Sequence, residues 1–231
     1  YQLLSFYLIK RQQLIQALTQ HSHKKTILYS SIGIIWLFQV SAIIGISLGY
    51  QDWFITKTPM NLIIVISLLV WNYPINTIAK ALVVLSFFTA GMLAEWVGVH
   101  YDFLFGAYYY GSNLGIKLDG VPYIIGINWA VLTLITGTIA HRLTKRLILQ
   151  IIIGAFLMVF LDFFLEVSAP EFDFWHWGVG HSPLRIFVTL FFLAAALQYF
   201  LLRTQTVGNL TFSIHLYLAQ LAFFIYFYVY H

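Results

Sequence analysis

Long stretches of apolar residues recur along the chain and are separated by short polar segments. A helix that crosses the hydrocarbon core of a bilayer needs roughly 20 apolar residues. The stretches predict spans over residues 27–50, 61–73, 78–95, 121–140, 147–167, 184–202 and 210–230. The second is short and is followed by Pro74, so it is either a tilted span or a re-entrant piece. We therefore predict an all-α fold, a polytopic integral membrane helical bundle of about seven transmembrane helices.

The beginning of the chain has a different pattern, because Lys10, Arg11 and several glutamines interrupt its apolar positions. This mixture predicts an amphipathic helix that lies at the membrane interface. We assign residues 1–26 to an N-terminal interfacial amphipathic segment. Residues 27–231 form a single membrane-embedded helical domain, since the sequence shows no repeat, low-complexity tract or linker.

Composition supports a membrane protein and excludes several kinds of chemistry. The chain is 61% hydrophobic and 9% charged, whereas soluble domains carry about 25% charged residues. It has no cysteine, which excludes disulfides, thiolate metal sites and a cysteine nucleophile. No phosphate-binding glycine-rich motif occurs, so nucleotide chemistry has no support. The net charge of +4 does not indicate nucleic acid, because the basic residues cluster at helix ends.

The basic residues also predict the orientation of the bundle. With a cytoplasmic N-terminus, nine Lys and Arg residues fall on the inner side and three on the outer side. This distribution follows the positive-inside rule. All eight acidic residues then lie in the outer half or in the outer loops, together with the two longest loops, 96–120 and 168–183.

Two carboxylic acids, Asp162 and Glu166, lie inside the apolar stretch 147–167. They are four residues apart, so they share a helix face and are about 6 Å apart along the axis. Burial and a neighbouring carboxylate both disfavour the charged form, so we expect one of them to hold a proton, as a general acid requires. The alternative is a structural pair bonded to Asn128, a tyrosine or loop amides. We favour a functional role for these two acids, because acids inside the membrane usually mark functional sites.

A third acid, Glu95, stands where a span meets an aromatic loop, and on position alone it marks the membrane boundary equally well. The loop residues 96–110 and the second run, 172–177, are rich in aromatic side chains. Such rings are common anchors at interfaces, but aromatic faces also stabilise cations. We predict that the two loops meet over the bundle like a lid. Asn128, beside Trp129, either orients a water molecule or makes an interhelical hydrogen bond.

The histidines do not form a recognisable metal motif, and we predict no metal site. Of the eight histidines, three are in outer loops, one is at the inner end of a span and one is inside the last span: His100, His176, His181, His141 and His215. For His215 we expect an interhelical hydrogen bond. The last lysine is Lys145, so the final two spans offer no amine for a retinal Schiff base.

Several blocks of sequence, taken in order, resemble the CruF-type carotenoid biosynthesis proteins. They are residues 94–100 (AEWVGVH), 105–111 (FGAYYYG), 120–122 (GVP) with 127–129 (INW), and 161–177. The resemblance covers about residues 60–225 and is strongest over 90–180. That family includes bisanhydrobacterioruberin hydratase and the bacterial carotenoid 1′,2′-hydratases.

The resemblance implies that water is added to the terminal isopropylidene double bond of an acyclic carotenoid, lycopene-like or longer, without a cofactor. It implies an integral protein of the bacterial plasma membrane, whose partners are the carotenoid and membrane lipids. The family's motif positions map onto Glu95, Tyr108, Asn128, Asp162, Glu166, Trp175 and Trp177. The chain departs from the pattern where Val167 instead of proline follows Glu166. It departs again after Pro183-Leu184, where Arg185-Ile186-Phe187 replaces an Asn-aromatic pair, and the end group of the substrate is left undetermined.

We therefore predict acid catalysis, with Asp162 or Glu95 as proton donor and Glu166 or Asn128 as base or positioner of water. The predicted substrate-binding residues are Trp96, His100, Phe105, Tyr108, Tyr109, Trp129, Trp175 and Trp177. The alternatives are an end-group cyclase or isomerase, a non-catalytic carotenoid- or lipid-binding membrane protein, and a small transporter that relays protons. The sequence does not fix the oligomeric state.

Overall fold

The computed structural model describes residues 2–179 and 182–230, with the side chains of residues 2–18 and 21 excepted. His181, one of the loop histidines, lies outside the described residues. Eight helices are described: α1 (Gln2–Ser47), α2 (Gln51–Ile55), α3 (Thr58–Asn72), α4 (Ile78–Tyr101), α5 (Tyr123–Leu143), α6 (Leu147–Ser168), α7 (Pro183–Thr204) and α8 (Leu210–Tyr230). Short strands lie in the loops: β1 (Tyr108–Tyr110), β2 (Lys117–Leu118), β3 (Val121–Pro122) and β4 (Trp175–Trp177).

Within the described residues, six helices are long and apolar enough to cross a membrane. They comprise the part of α1 over Ser22–Ser47 together with α4, α5, α6, α7 and α8. The all-α, polytopic membrane fold is therefore confirmed. The short second stretch forms α3, whose 15 residues span about 22 Å, less than the roughly 30 Å of a hydrocarbon core.

The first helix is longer than the pattern predicts. It runs from Gln2 to Ser47 without a break at residue 26, where we set the boundary of the interfacial segment. The interfacial placement of that segment and the cytoplasmic N-terminus stay predictions. On the last span, His215 makes the interhelical hydrogen bond that we expected: the Trp36 indole N–H donates to its Nδ1 at 3.1 Å and joins α1 to α8.

Local sequence explains where the helices beside the site begin and end. Tyr73 is extended because Pro74 follows it, and α3 stops there. The Thr77 side chain caps the start of α4 by accepting a hydrogen bond from the Lys80 N–H. The helix then continues to Tyr101, because residues 96–99 are still largely apolar and aromatic. Glu95 consequently lies inside the last two turns of α4 and not at its end.

Helix α5 forms the centre of the bundle and contacts α3, α4, α6, α7 and α8. Close packing depends on small residues at its crossings. A Cβ added at Gly91 of α4 would lie 2.6 Å from the Trp129 side chain, and one at Gly137 would lie 2.4 Å from Gln198 of α7. The Gln198 amide is fully buried and donates to Thr136 Oγ1 at 2.8 Å. These contacts pack α4 and α7 closely against α5, and the site lies towards the Tyr123 end of α5.

Candidate functional site

Two aromatic loops join into a small antiparallel ribbon at one end of the bundle. Strands β1 and β4 pair, which confirms that the two loops meet. The register aligns Tyr108 with Trp177, Tyr109 with His176 and Tyr110 with Trp175. Because side chains alternate along a strand, Tyr108, Tyr110 and Trp175 are buried, whereas Tyr109 is 60% exposed.

The buried carboxyl group of Glu95 accepts three hydrogen bonds. The hydroxyls of Tyr108 and Tyr110 donate to Oε2 at 2.6 and 2.8 Å, and the Trp129 indole N–H donates to Oε1 at 2.9 Å. Burial, followed by the neighbouring Glu95, raises the pKa of both tyrosines well above the usual phenol value. Both phenols therefore keep their protons and serve as donors to the carboxylate.

Glu166 is held by the other strand of the ribbon. The indole N–H groups of Trp175 and Trp177 both donate to its Oε2, at 3.2 and 2.7 Å. An indole N–H only donates, so this oxygen is an acceptor and Oε1 is left for another partner. Each strand of the ribbon thus supplies two donors to one glutamate.

Asp162 lies one turn from Glu166 on the same face of α6 and has a different environment. Its carboxyl group and the Asn128 side chain line the same cavity of about 70 Å³. Neither side chain makes a hydrogen bond with another described residue. By contrast, the neighbouring Glu95 and Glu166 accept three and two hydrogen bonds. The cavity therefore presents one carboxyl group and one amide with unused hydrogen-bonding capacity.

The cavity brings together nine of the twelve residues that the sequence predicts for the site. These are Glu95, Phe105, Tyr108, Asn128, Trp129, Asp162, Glu166, Trp175 and Trp177. Apolar residues from α5, α6 and α7 complete the wall, including Leu132, Met158 and Leu190. The sequence reasoning missed Tyr110 as a site residue, although its spacing of two from Tyr108 places both on one face of a strand.

The other three predicted residues lie outside the lining of this cavity. Trp96 donates its indole N–H to Asp119 at 2.7 Å, and the ring of His100 stacks on that of Trp96. The Trp96 hydrogen bond is the main reason that the pKa of Asp119 lies below its usual value. Tyr109 stacks on His176 on the exposed face of the ribbon. A direct substrate contact by these three residues stays a prediction.

Asp173 holds the two loops in register. Its carboxylate accepts hydrogen bonds from the Ser112 N–H and hydroxyl at 2.8 and 2.6 Å. His176 Nε2 lies 2.9 Å from its other oxygen. The bond to His176, followed by those to Ser112, lowers the pKa of Asp173 to about 2, so this group is ionised at neutral pH. Gly111 is required beside it, because an added Cβ would lie 2.2 Å from the Asp173 backbone oxygen.

Gly98 gives the Tyr108 hydroxyl access to Glu95, and its substitution tests this packing. A Cβ at Gly98 would lie 2.6 Å from the Tyr108 hydroxyl and 2.9 Å from the Phe105 ring. We expect Gly98→Ala to displace Tyr108 and to lower the free energy of unfolding by about 1–3 kcal/mol. The matched control is Gly33→Ala, because an added Cβ there meets no atom within 4 Å. Equal melting temperatures of the two variants in detergent would contradict the assignment.

Comparison with known proteins identifies the family. Residues 57–230, three quarters of the chain, match the sequence model of the family described as carotenoid biosynthesis protein. The chain belongs to this carotenoid biosynthesis protein family. The match agrees with the resemblance to the CruF-type proteins. No curated protein and no solved structure matches the chain significantly.

In this carotenoid biosynthesis protein, the matched region contains the paired loops. It also contains every residue that lines the cavity around Glu95, Asp162 and Glu166 (the acid cavity). Helices α1 and α2 precede it. The cavity can hold a small group against three carboxyl groups, one of which has no donor among the described residues, with aromatic rings and aliphatic side chains on the remaining sides. Such an arrangement suits proton transfer to an apolar group and stabilisation of the cation that results.

Proposed function

We propose that the protein adds water across the terminal C1′=C2′ double bond of an acyclic carotenoid. The main supporting observation is the contrast among the three carboxyl groups. Glu95 and Glu166 accept five hydrogen bonds from aromatic side chains, whereas Asp162 lines the same cavity and receives no hydrogen bond from any described residue. Membership of a carotenoid biosynthesis family and the membrane-spanning helices support an apolar isoprenoid substrate.

Asp162 is the proton donor in this proposal. An ionised carboxyl group without a donor is costly in an apolar site, and two neighbouring carboxylates add to that cost. Asp162 therefore carries the proton. Its O–H bond breaks, the π electrons of the double bond form a new C–H bond at C2′, and a tertiary carbocation is left at C1′. The less substituted carbon takes the proton because the alternative cation is secondary.

The aromatic walls and the carboxyl oxygens of the two glutamates stabilise this cation. The faces of Trp129, Trp175 and Trp177 attract a positive charge, and they need no rearrangement during the reaction because their N–H groups are fixed on carboxylates. Asn128 and the unused Oε1 of Glu166 hold the attacking water. The water oxygen bonds to C1′, and Glu166 takes the released proton. Transfer of that proton to Asp162, one turn away, restores the starting state.

The outcome after protonation depends on whether water reaches C1′. If water were excluded, the same cation would be captured by a neighbouring double bond and would lose a proton, which is cyclisation. Two polar side chains, Asn128 and Asp162, have no hydrogen-bond partner within residues 2–179 and 182–230. They favour hydration, because both provide hydrogen-bonding sites for a water molecule at the cavity.

The test is to express the chain in cells that make lycopene and to analyse their carotenoids by chromatography with mass spectrometry. We expect a product heavier than lycopene by one water molecule, whose added oxygen carries the label when the cells grow in heavy-oxygen water. Cells without the gene provide the control. A new product of unchanged mass would indicate cyclisation or isomerisation. Unchanged lycopene that copurifies with the protein would indicate binding without catalysis.

A further inference from the structure

A second, larger space lies beside the acid cavity. It is a groove of about 450 Å³ between α1, α2 and α3 on one side and α5, α6 and α8 on the other. The groove and the cavity have four wall residues in common: Ile125, Asn128, Leu165 and Trp175. The two spaces are therefore adjacent, and Asn128 belongs to the wall that both of them use.

The acid cavity alone is too small for the proposed substrate. A water molecule takes about 30 Å³ in the liquid, so a cavity of about 70 Å³ holds a small branched end group or a few atoms of similar volume. The long chain of an acyclic carotenoid has to leave the cavity. The adjacent groove has room for part of that chain, because between Leu37 and Ile46 of α1 it extends about 14 Å along the helix axis.

We propose, on the basis of the hydration function above, that this groove seats the first part of the carotenoid chain while its end group occupies the acid cavity. The chain enters from the lipid between α1 and the α2–α3 segment. Large apolar residues stand exposed at this opening, namely Leu37, Trp53 and Met60. The groove covers about half of a hydrocarbon core of roughly 30 Å, so the rest of the carotenoid extends into the bilayer.

A polar atom in the wall distinguishes the groove from a surface that merely faces lipid. Gln220 of α8 lines the groove and is 93% buried, and its Oε1 has no hydrogen-bond partner in the described part of the chain. A buried acceptor without a donor is costly, and neither acyl chains nor the hydrocarbon chain of a carotenoid offers one, so this atom marks a protein-lined space and does not itself select the occupant. Gln39 and Asn61 line the same groove. Polar residues at membrane depth normally face the protein interior or a functional cavity.

Helix α1 gives the proposal a direct test, since it forms one wall of the groove and lies before the matched family region. Ala42→Trp places a large ring in the groove. Val40→Trp is the matched control, because Val40 is on the same helix, is 44% exposed and does not line the groove. Both proteins are purified, checked for equal melting temperatures and loaded with lycopene in nanodiscs. We expect the lycopene retained per protein to fall about tenfold or more in Ala42→Trp and to stay unchanged in Val40→Trp, as expected for a steric block.

A short substrate separates this proposal from the hydration function. Myrcene has a terminal isopropylidene group but no long polyene, so its conversion is expected to differ little between Ala42→Trp and Val40→Trp. Equal lycopene retention by the two variants would overturn the groove proposal, whatever reaction the protein catalyses, and would leave the groove to a membrane lipid. Loss of lycopene from Ala42→Trp alone, without a hydrated product from any variant, would support the groove and reject hydration. If the melting temperature is lowered only in Ala42→Trp, the same comparison is made with Leu62→Trp, because Leu62 of α3 lines the same groove.

Discussion

Asp162→Asn is expected to lower the rate of carotenoid hydration by about 10²–10⁴-fold, the usual contribution of a positioned general acid. Asparagine has nearly the same shape as aspartic acid and keeps a polar group in the cavity, but its amide does not deliver a proton to carbon. The rate is measured as product formed per mole of protein in liposomes that contain lycopene. Retention of lycopene by the purified variant should stay close to that of the parent protein, because binding of the apolar chain does not depend on this proton.

The control for this prediction is Asp52→Asn, the same substitution in an exposed carboxylate of α2. Its rate should equal that of the parent protein. If Asp162→Asn kept more than half of the parental rate while Glu95→Gln was inactive, the proton donor would be Glu95. Glu95 would then be a neutral acid, and the hydroxyl groups of its tyrosine partners would be rotated away from the donor positions described above.

Glu95→Ala should have the largest effect on stability, because it leaves three buried hydrogen-bond donors without an acceptor. The hydroxyls of Tyr108 and Tyr110 and the indole N–H of Trp129 all lose their acceptor. Each unsatisfied donor costs about 1–3 kcal/mol, so we expect the free energy of unfolding to fall by roughly 3 kcal/mol or more. Glu95→Gln should cost less, because its carbonyl oxygen still accepts. Thermal unfolding in detergent, followed by tryptophan fluorescence, measures both.

A double-mutant cycle tests whether the loss comes from these contacts. Tyr108→Phe removes one of the three donors in advance, so Glu95→Ala should destabilise the Tyr108→Phe background by about 1 kcal/mol less than it destabilises the parent protein. Strictly additive effects would show that Tyr108 and Glu95 do not depend on each other. The ribbon would then be held by its backbone pairing and by the Asp173 contacts alone.

Because lipid imposes a strict requirement, the positions of six membrane-spanning helices could be read from the sequence, although their ends and the short second stretch could not. A segment in hydrocarbon has to satisfy its own backbone groups and expose apolar side chains, so a run of roughly 20 apolar residues is enough to indicate a helix. The same reasoning singled out Asp162 and Glu166, since acids are rare at that depth. It was less successful at Glu95, because hydropathy falls at the charge although α4 continues to Tyr101.

The ribbon shows why local pattern was insufficient for the rest of the site. The aromatic runs at 105–110 and 172–177 were visible, but their pairing joins residues more than 60 positions apart, and the register decides which rings face inward. The sequence alone does not distinguish Tyr108 from Trp96, His100 and Tyr109, because all four are ring-bearing residues of the same segment. The last three lie outside the cavity lining, because helix α4 and strand β1 direct their side chains away from the cavity.

The sequence by itself determined that this is a polytopic helical membrane protein with three acids and two aromatic loops in one part of the bundle. Only the tertiary structure decided how these acids differ. Four donors from one ribbon and one from α5 are directed at Glu95 and Glu166, while Asp162 and Asn128 are left facing the cavity. The reason is physical: the chemical role of a carboxyl group depends on the hydrogen bonds and burial around it, and those are set by contacts between residues far apart in the chain.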